Sequence, residues 1–179
     1  MSMSKLVKAG LVLFVAACVA ILAYRIYLAS LSDETRIRKL LEAVADGFND
    51  ASASRISDRL APDFSVEGSD LGRREVHAFL VQFFFRERDR KSGKPLWKVE
   101  LRPEDIDLRI EEREQEGPPT ARVEVTAQFV KLPAPDSKSG ENPGPAPARV
   151  MISGVLKKIE GRWLIDSASH RLLGGRWPF

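Results

Sequence analysis

Few residues in this sequence can move a proton near neutral pH. The histidines are His77 and His170, and the one cysteine is Cys18. A disulfide within the chain is therefore excluded. A structural zinc site wants four Cys or His ligands, so no metal is expected. No phosphate loop, Gly-x-Ser-x-Gly or dinucleotide fingerprint is present, and no cofactor is expected. The candidate acid/base groups are His170, Asp166 and Asp63. In a strand with a period of two, His170 shares a face with Asp166, Ala168 and Leu164, and a carboxylate there would tune the imidazole. Four strand residues span about 13 Å, too far for a direct hydrogen bond, so a rim histidine is the plainer reading. Asp63, just before Phe64, reads as an acid/base group or as a turn or capping aspartate. His77 follows Val76 on a helix, either pointing inward or partly exposed. Phe79, Phe83, Trp97 and Trp163 are the expected lining of an apolar pocket, with core packing as the alternative. Phe85 cannot face the same way as both Phe83 and Phe84 on a helix, and a second surface such as a dimer contact is its expected place.

The elements that must position these groups follow from periodicity. Ser32 reads as an N-cap with Asp33 and Glu34 in the first turn, and Ile37, Leu40, Leu41, Val44, Ala45 and Phe48 recur at helical spacing. A shorter helix is expected from about Ala53 to Leu60, stopped by Pro62, with Phe64 and Val66 in a short strand. Asp70 is the expected cap of a third helix over about 71–88, with Val76, Phe79, Leu80, Phe83 and Phe84 as its apolar stripe. Its end, Arg86 to Lys94, is basic but interleaved with Glu87 and Asp89. It reads as a solvated helix end rather than a headgroup contact. Beyond it the period becomes two, through Trp97–Leu101, Ile106–Ile110 and Val123–Phe129. A Pro- and Gly-rich loop spans Pro133–Pro147. Val150–Ile159 and Trp163–His170 then form a hairpin about Glu160-Gly161. The fold class is α+β, helices first and then a curved antiparallel sheet wrapped around them.

The 28 Lys and Arg residues exceed the 25 Asp and Glu by three. Lys5, Lys8 and Arg25 precede every acidic residue, so the chain from Asp33 onward is balanced, and nucleic acid is not an expected partner. Between these charges Ala9–Tyr24 carries none. With its flanks, residues 6–28 match the roughly 20 apolar residues that span a bilayer, with Tyr24 and Tyr27 at one interface. The expected organisation is a transmembrane anchor over 1–31, a domain over 32–171 and a C-terminal tail over 172–179. The expected location is a membrane, single-pass, with the N-terminus inside and the domain outside the cytoplasm. A cleaved signal peptide, or a lipoprotein signal ending at Cys18, are the alternatives.

The opening helix, the run Leu60-Ala61-Pro62-Asp63-Phe64, the helix beginning Gly72-Arg73-Arg74-Glu75 and the hairpin Glu160-Gly161-Arg162-Trp163-Leu164-Ile165 together resemble the nuclear transport factor 2-like superfamily, also called SnoaL-like or ketosteroid-isomerase-like. The resemblance covers Asp33 to about His170. It implies a cone-shaped domain with a pocket at its open end, often dimeric through the sheet. It also implies that enzymes of the family use Asp, Tyr or His in the cone. The isomerase-like oxyanion site and the dehydratase-like site both need tyrosine, and the only tyrosines here are Tyr24 and Tyr27. The Asp-Arg-Asp set of an epoxide-hydrolase-like site aligns with no particular residues. The expected function is a membrane-tethered, non-enzymatic module that binds a protein partner or a small apolar ligand. The alternative is an isomerase- or hydrolase-like enzyme working through Asp63, Asp166 or His170.

Overall fold

The structure, a computed structural model, describes residues 32–89, 92–111, 117–132 and 147–175. The expected anchor over 6–28 and the tail from Arg176 lie outside the described residues, as does most of the Pro133–Pro147 loop. The chain divides into two compact units at Arg36–Ile37. The described part of the first is one helical turn, in which the Ser32 hydroxyl accepts from the Thr35 N–H at 3.2 Å, the expected N-cap. No helix among the described residues is long and apolar enough to cross a membrane.

Helix α1 spans Asp33–Asn49 and buries Ile37, Leu40 and Phe48. Helix α2, Ala53–Ser57, is shorter than the sequence predicts. Leu60 already begins strand β1, Leu60–Val66, so Pro62 lies inside a strand instead of ending a helix. This is tolerable because β1 is an edge strand, where a missing N–H costs no ladder bond. Helix α3, Arg73–Arg86, starts two residues later than predicted. Its cap is Gly72, whose N–H donates to the Glu75 carboxylate at 3.0 Å, and not Asp70.

The sheet contains β2 (Trp97–Glu100), β3 (Ile106–Glu111), β4 (Thr120–Lys131), β5 (Ala148–Ile159) and β6 (Arg162–Gly174), besides β1. Its order is β1-β6-β5-β4-β2, with β3 also on β4; β1 runs parallel to β6 and the remaining pairs are antiparallel. Strand β6 continues to Gly174, so the first residues of the expected tail belong to the sheet. The hairpin turn has left-handed backbone at both Glu160 (φ 49°) and Gly161 (φ 77°), the combination that matches strand twist.

Two clusters fill the space between helices and sheet. Phe48, Ile56, Leu80, Phe83, Phe84, Trp97, Ala127, Phe129 and Val150 form one. Ile37, Leu40, Ile106, Val123, Val125, Leu156 and Trp163 form the other. Phe48 is the hub of the first, with ring centroids 5.8, 5.3 and 5.4 Å from Phe83, Phe84 and Phe129. At these separations aromatic rings attract beyond simple burial.

Candidate functional site

The register of β5 against β6 decides where the titratable residues point. Val155 pairs with Ser167 and Leu156 with Ile165, so Asp166 is an extra residue, a bulge. A bulge resets the two-residue alternation. Ile152 packs on the core and opposes His170, which places His170 on the helix-facing side of the sheet. Lys157, on the other parity of β5, bonds to Asp166 and lies on the outer side. The expectation that His170 and Asp166 share a face is therefore corrected: they lie on opposite faces, and the bulge between them is the reason.

Asp166 instead meets Asp63 across Lys157. The Lys157 Nζ lies 2.7 Å from Asp166 Oδ1 and 3.9 Å from Asp63 Oδ2. Asp63 belongs to β1, Lys157 to β5 and Asp166 to β6, so one ammonium joins three strands. Asp166 is mostly covered (16% exposed) and Asp63 mostly open (69%). The Asp166 hydrogen bond first, and then the charges of Asp166 and Asp63, raise the Lys157 pKa above its ordinary 10.5, against the opposing pull of desolvation. Amine catalysis needs the reverse shift, toward the free base. The cluster is built as a clasp between strands, with its ammonium locked on.

His77 joins two helices. Its Nδ1 is 3.0 Å from the Ser57 hydroxyl, which also reaches the Ser54 carbonyl at 3.2 Å. Ser57 is only 6% exposed, and its hydroxyl pins α2 to α3. Both His77 and Ser57 line an open groove of about 600 Å³, together with Asp63, Arg73, Arg74 and Glu75 among others. Arg73 crosses to Asp58 at 3.5 Å.

Of the expected pocket lining, Phe83 and Trp97 sit in the first core cluster and Trp163 in the second. Phe79 stacks on Phe83 at 6.3 Å but is 45% exposed. No group of His, Cys, Asp and Glu among the described residues could hold a metal ion. Two contributors escaped the sequence reading. Lys157 follows from strand parity only once the register is known. Asn49 donates from Nδ2 to the Val99 carbonyl at 3.0 Å and accepts the Val99 N–H at 2.7 Å, fixing the end of α1 to β2. An asparagine in the last turn of an amphipathic helix carries no mark of such a partner 50 residues away.

No protein-family model and no curated protein matches the sequence. Solved structures do match. A protein from Novosphingobium aromaticivorans described as nuclear transport factor 2-like with a cystatin-like fold superposes with a TM-score of 0.56 at 17% identity, over 87% of this chain and 90% of that one. A protein of unknown function with a cystatin-like fold from Nostoc punctiforme gives 0.54 at 12% identity, over 78% and 90%. A candidate scytalone dehydratase from N. aromaticivorans gives 0.54 at 12% identity, over 80% and 86%. Identities this low speak to architecture and leave activity open. The helices, the bulged antiparallel sheet and these likenesses agree on one conclusion, that the fold is nuclear transport factor 2-like, of the cystatin-like kind.

Proposed function

We propose that this protein is a membrane-tethered, non-catalytic assembly module that works through its surfaces. The observation that carries this reading is the content of the cone. Phe48, Phe83, Phe84, Phe129 and Trp97 pack in one core cluster and Trp163 in the other, so Phe83, Trp97 and Trp163, the expected pocket lining, are core residues. The acid/base candidates are divided between two faces of the sheet, and two of them are committed to Lys157.

The outer face of the sheet is the surface best suited to self-assembly. Met151, Ser153, Val155, Ser167 and Ser169 form an uncharged, half-buried strip on β5 and β6; on β4 it meets Thr126 opposite Met151, and the charged Glu124 and Arg122 opposite Ser153 and Val155. Lys157 and Asp166 bound it at one end and Arg149 and Arg171 at the other. An uncharged centre with a charged rim is the usual anatomy of an interface, and a flat sheet face pairs with its own copy about a two-fold axis. The tether is assigned to residues 6–28, on their length and apolarity.

The test is the mass of the full chain in detergent by light scattering, with Val155→Arg as the comparison. A dimer reduced to a monomer by Val155→Arg, with an unchanged circular dichroism spectrum, is the expected result. A monomeric wild type, together with extraction of the chain from membranes by alkaline carbonate, would overturn the reading.

A further inference from the structure

We propose that the outward face of α3 is a contact surface for an anionic lipid bilayer. In the sequence, Glu87 and Asp89 interrupt the run of basic residues around them. In the fold they do not face outward with those residues. The Glu87 carboxylate accepts from the Trp97 indole N–H at 2.9 Å and lies 3.9 Å from the Lys131 ammonium. The Asp89 carboxylate accepts the Ser92 N–H at 2.6 Å, closing its own turn. At the other end of the helix, Glu75 is engaged with the Gly72 N–H. Glu87 and Asp89 are turned onto the protein, and Glu75, though exposed, is engaged at the helix cap.

The basic groups are not. Arg74, Arg86, Arg88 and Lys94 are exposed. Between them the same helix exposes Val81 (50%) and Phe85 (67%), large side chains that a solvated helix end has no reason to present. The Arg88 guanidinium rests 4.6 Å from the centre of the Phe85 ring, so cation and ring form one amphipathic unit. Beside it runs an open groove of about 610 Å³ whose lining includes His77, Val81, Phe84, Phe85 and Arg88. Apolar side chains ringed by arginine, with the local carboxylates withdrawn, match a surface that is apolar a few ångströms beneath an anionic layer. A protein partner would be served by the apolar residues alone; the charge arrangement is what selects the bilayer.

The inference does not depend on the tether, and the experiment separates the two. Full chain carrying Cys18→Ala and Gln82→Cys, with an environment-sensitive fluorophore on the new thiol, is mixed with vesicles of phosphatidylcholine or of phosphatidylcholine with phosphatidylglycerol. Both sets contain lipids brominated in the acyl chain. Flotation reports the tether, and quenching of the fluorophore reports the α3 face. Expected is stronger quenching with phosphatidylglycerol, weakened by high salt. Arg86→Glu with Arg88→Glu should reduce that lipid affinity by about fivefold or more. Phe85→Ser should reduce it without altering the salt dependence. These substitutions are at exposed positions, and a circular dichroism melt checks the fold. Equal quenching in both lipids, or quenching indifferent to the arginines, would overturn the proposal. Flotation with neutral vesicles but no quenching would overturn it while leaving the tether standing. Flotation only with the anionic vesicles, with quenching, would support it and count against the tether.

Discussion

At Lys157 one ammonium holds two carboxylates from strands distant in sequence, and at Asn49 one amide satisfies both backbone groups of Val99. These contacts set the expectations at the scale of single residues. Because Lys157 has a raised pKa in the folded chain, its stabilising contribution is complete below 10.5 and is lost as the pH rises through the folded value. Lys157→Met should therefore lower the melting temperature by about 3 °C at neutral pH, a loss of about 1 kcal/mol. That gap between variant and wild type should close as the pH is taken above 10.5; a constant gap in a calorimetric pH series would refute the assignment. Asn49→Ala leaves the Val99 N–H and C=O without their partner and should cost about 2 kcal/mol in urea unfolding. Asn49→Asp keeps the acceptor and loses the donor, and should fall between. Neither residue stood out beforehand. Asp63, Asp166 and His170 did, as the groups with the right chemistry, but their grouping depended on a parity that one extra residue reversed.

At the scale of elements, the long periodic segments were legible and their junctions were not. The apolar spacing of α1 and the alternation through β3, β4 and β5 depend on burial of one face, and composition records that directly. The boundary between α2 and β1 depends instead on what lies alongside. Pro62 reads as a helix stop, yet it is accommodated because β1 has an open edge. The cap of α3 was misplaced because a glycine with a reaching glutamate did the work expected of an aspartate. The bulge at Asp166 has no compositional mark at all. Two turns give element-scale predictions. Glu160 is held in left-handed backbone ahead of Gly161, and Asn tolerates that conformation better than Glu. Glu160→Asn should raise the melting temperature by about 1 °C to 2 °C, measured calorimetrically. Gly175 has φ +81°, and an added Cβ would stand 2.4 Å from the Pro147 carbonyl oxygen. Gly175→Ala should destabilise by more than about 1 kcal/mol, with faster hydrogen exchange concentrated where β5 and β6 meet.

At the scale of the whole molecule, the fold was recognisable from the order of its parts, and function was not, because one fold hosts many functions that lie in particular sites. Here Phe48 touches three other phenylalanine rings at the centre of the larger cluster. Phe48→Ala should cost about 3–5 kcal/mol, enough to lose most of the stability of a domain this size in a denaturant titration. The charge of the chain now divides by place as well as by count. Its N-terminal excess flanks the apolar segment, while the balanced remainder spreads exposed arginines over several elements, Arg74 and Arg86 of α3 among them. The sheet, finally, has two margins that any passing extended peptide could in principle join. On one, the Val66 N–H donates to the Leu71 carbonyl and Ser65 bridges Gly72, so the segment leading into α3 occupies the place of a neighbour. On the other, the Asn49 amide does the same for Val99, a side chain standing in for a missing strand. Whatever the broad face of a sheet binds, its chains must not also polymerise along the rim. Loss of that amide should therefore appear in concentrated solution as insoluble chains, while in dilute solution the chain, though less stable to urea, stays folded.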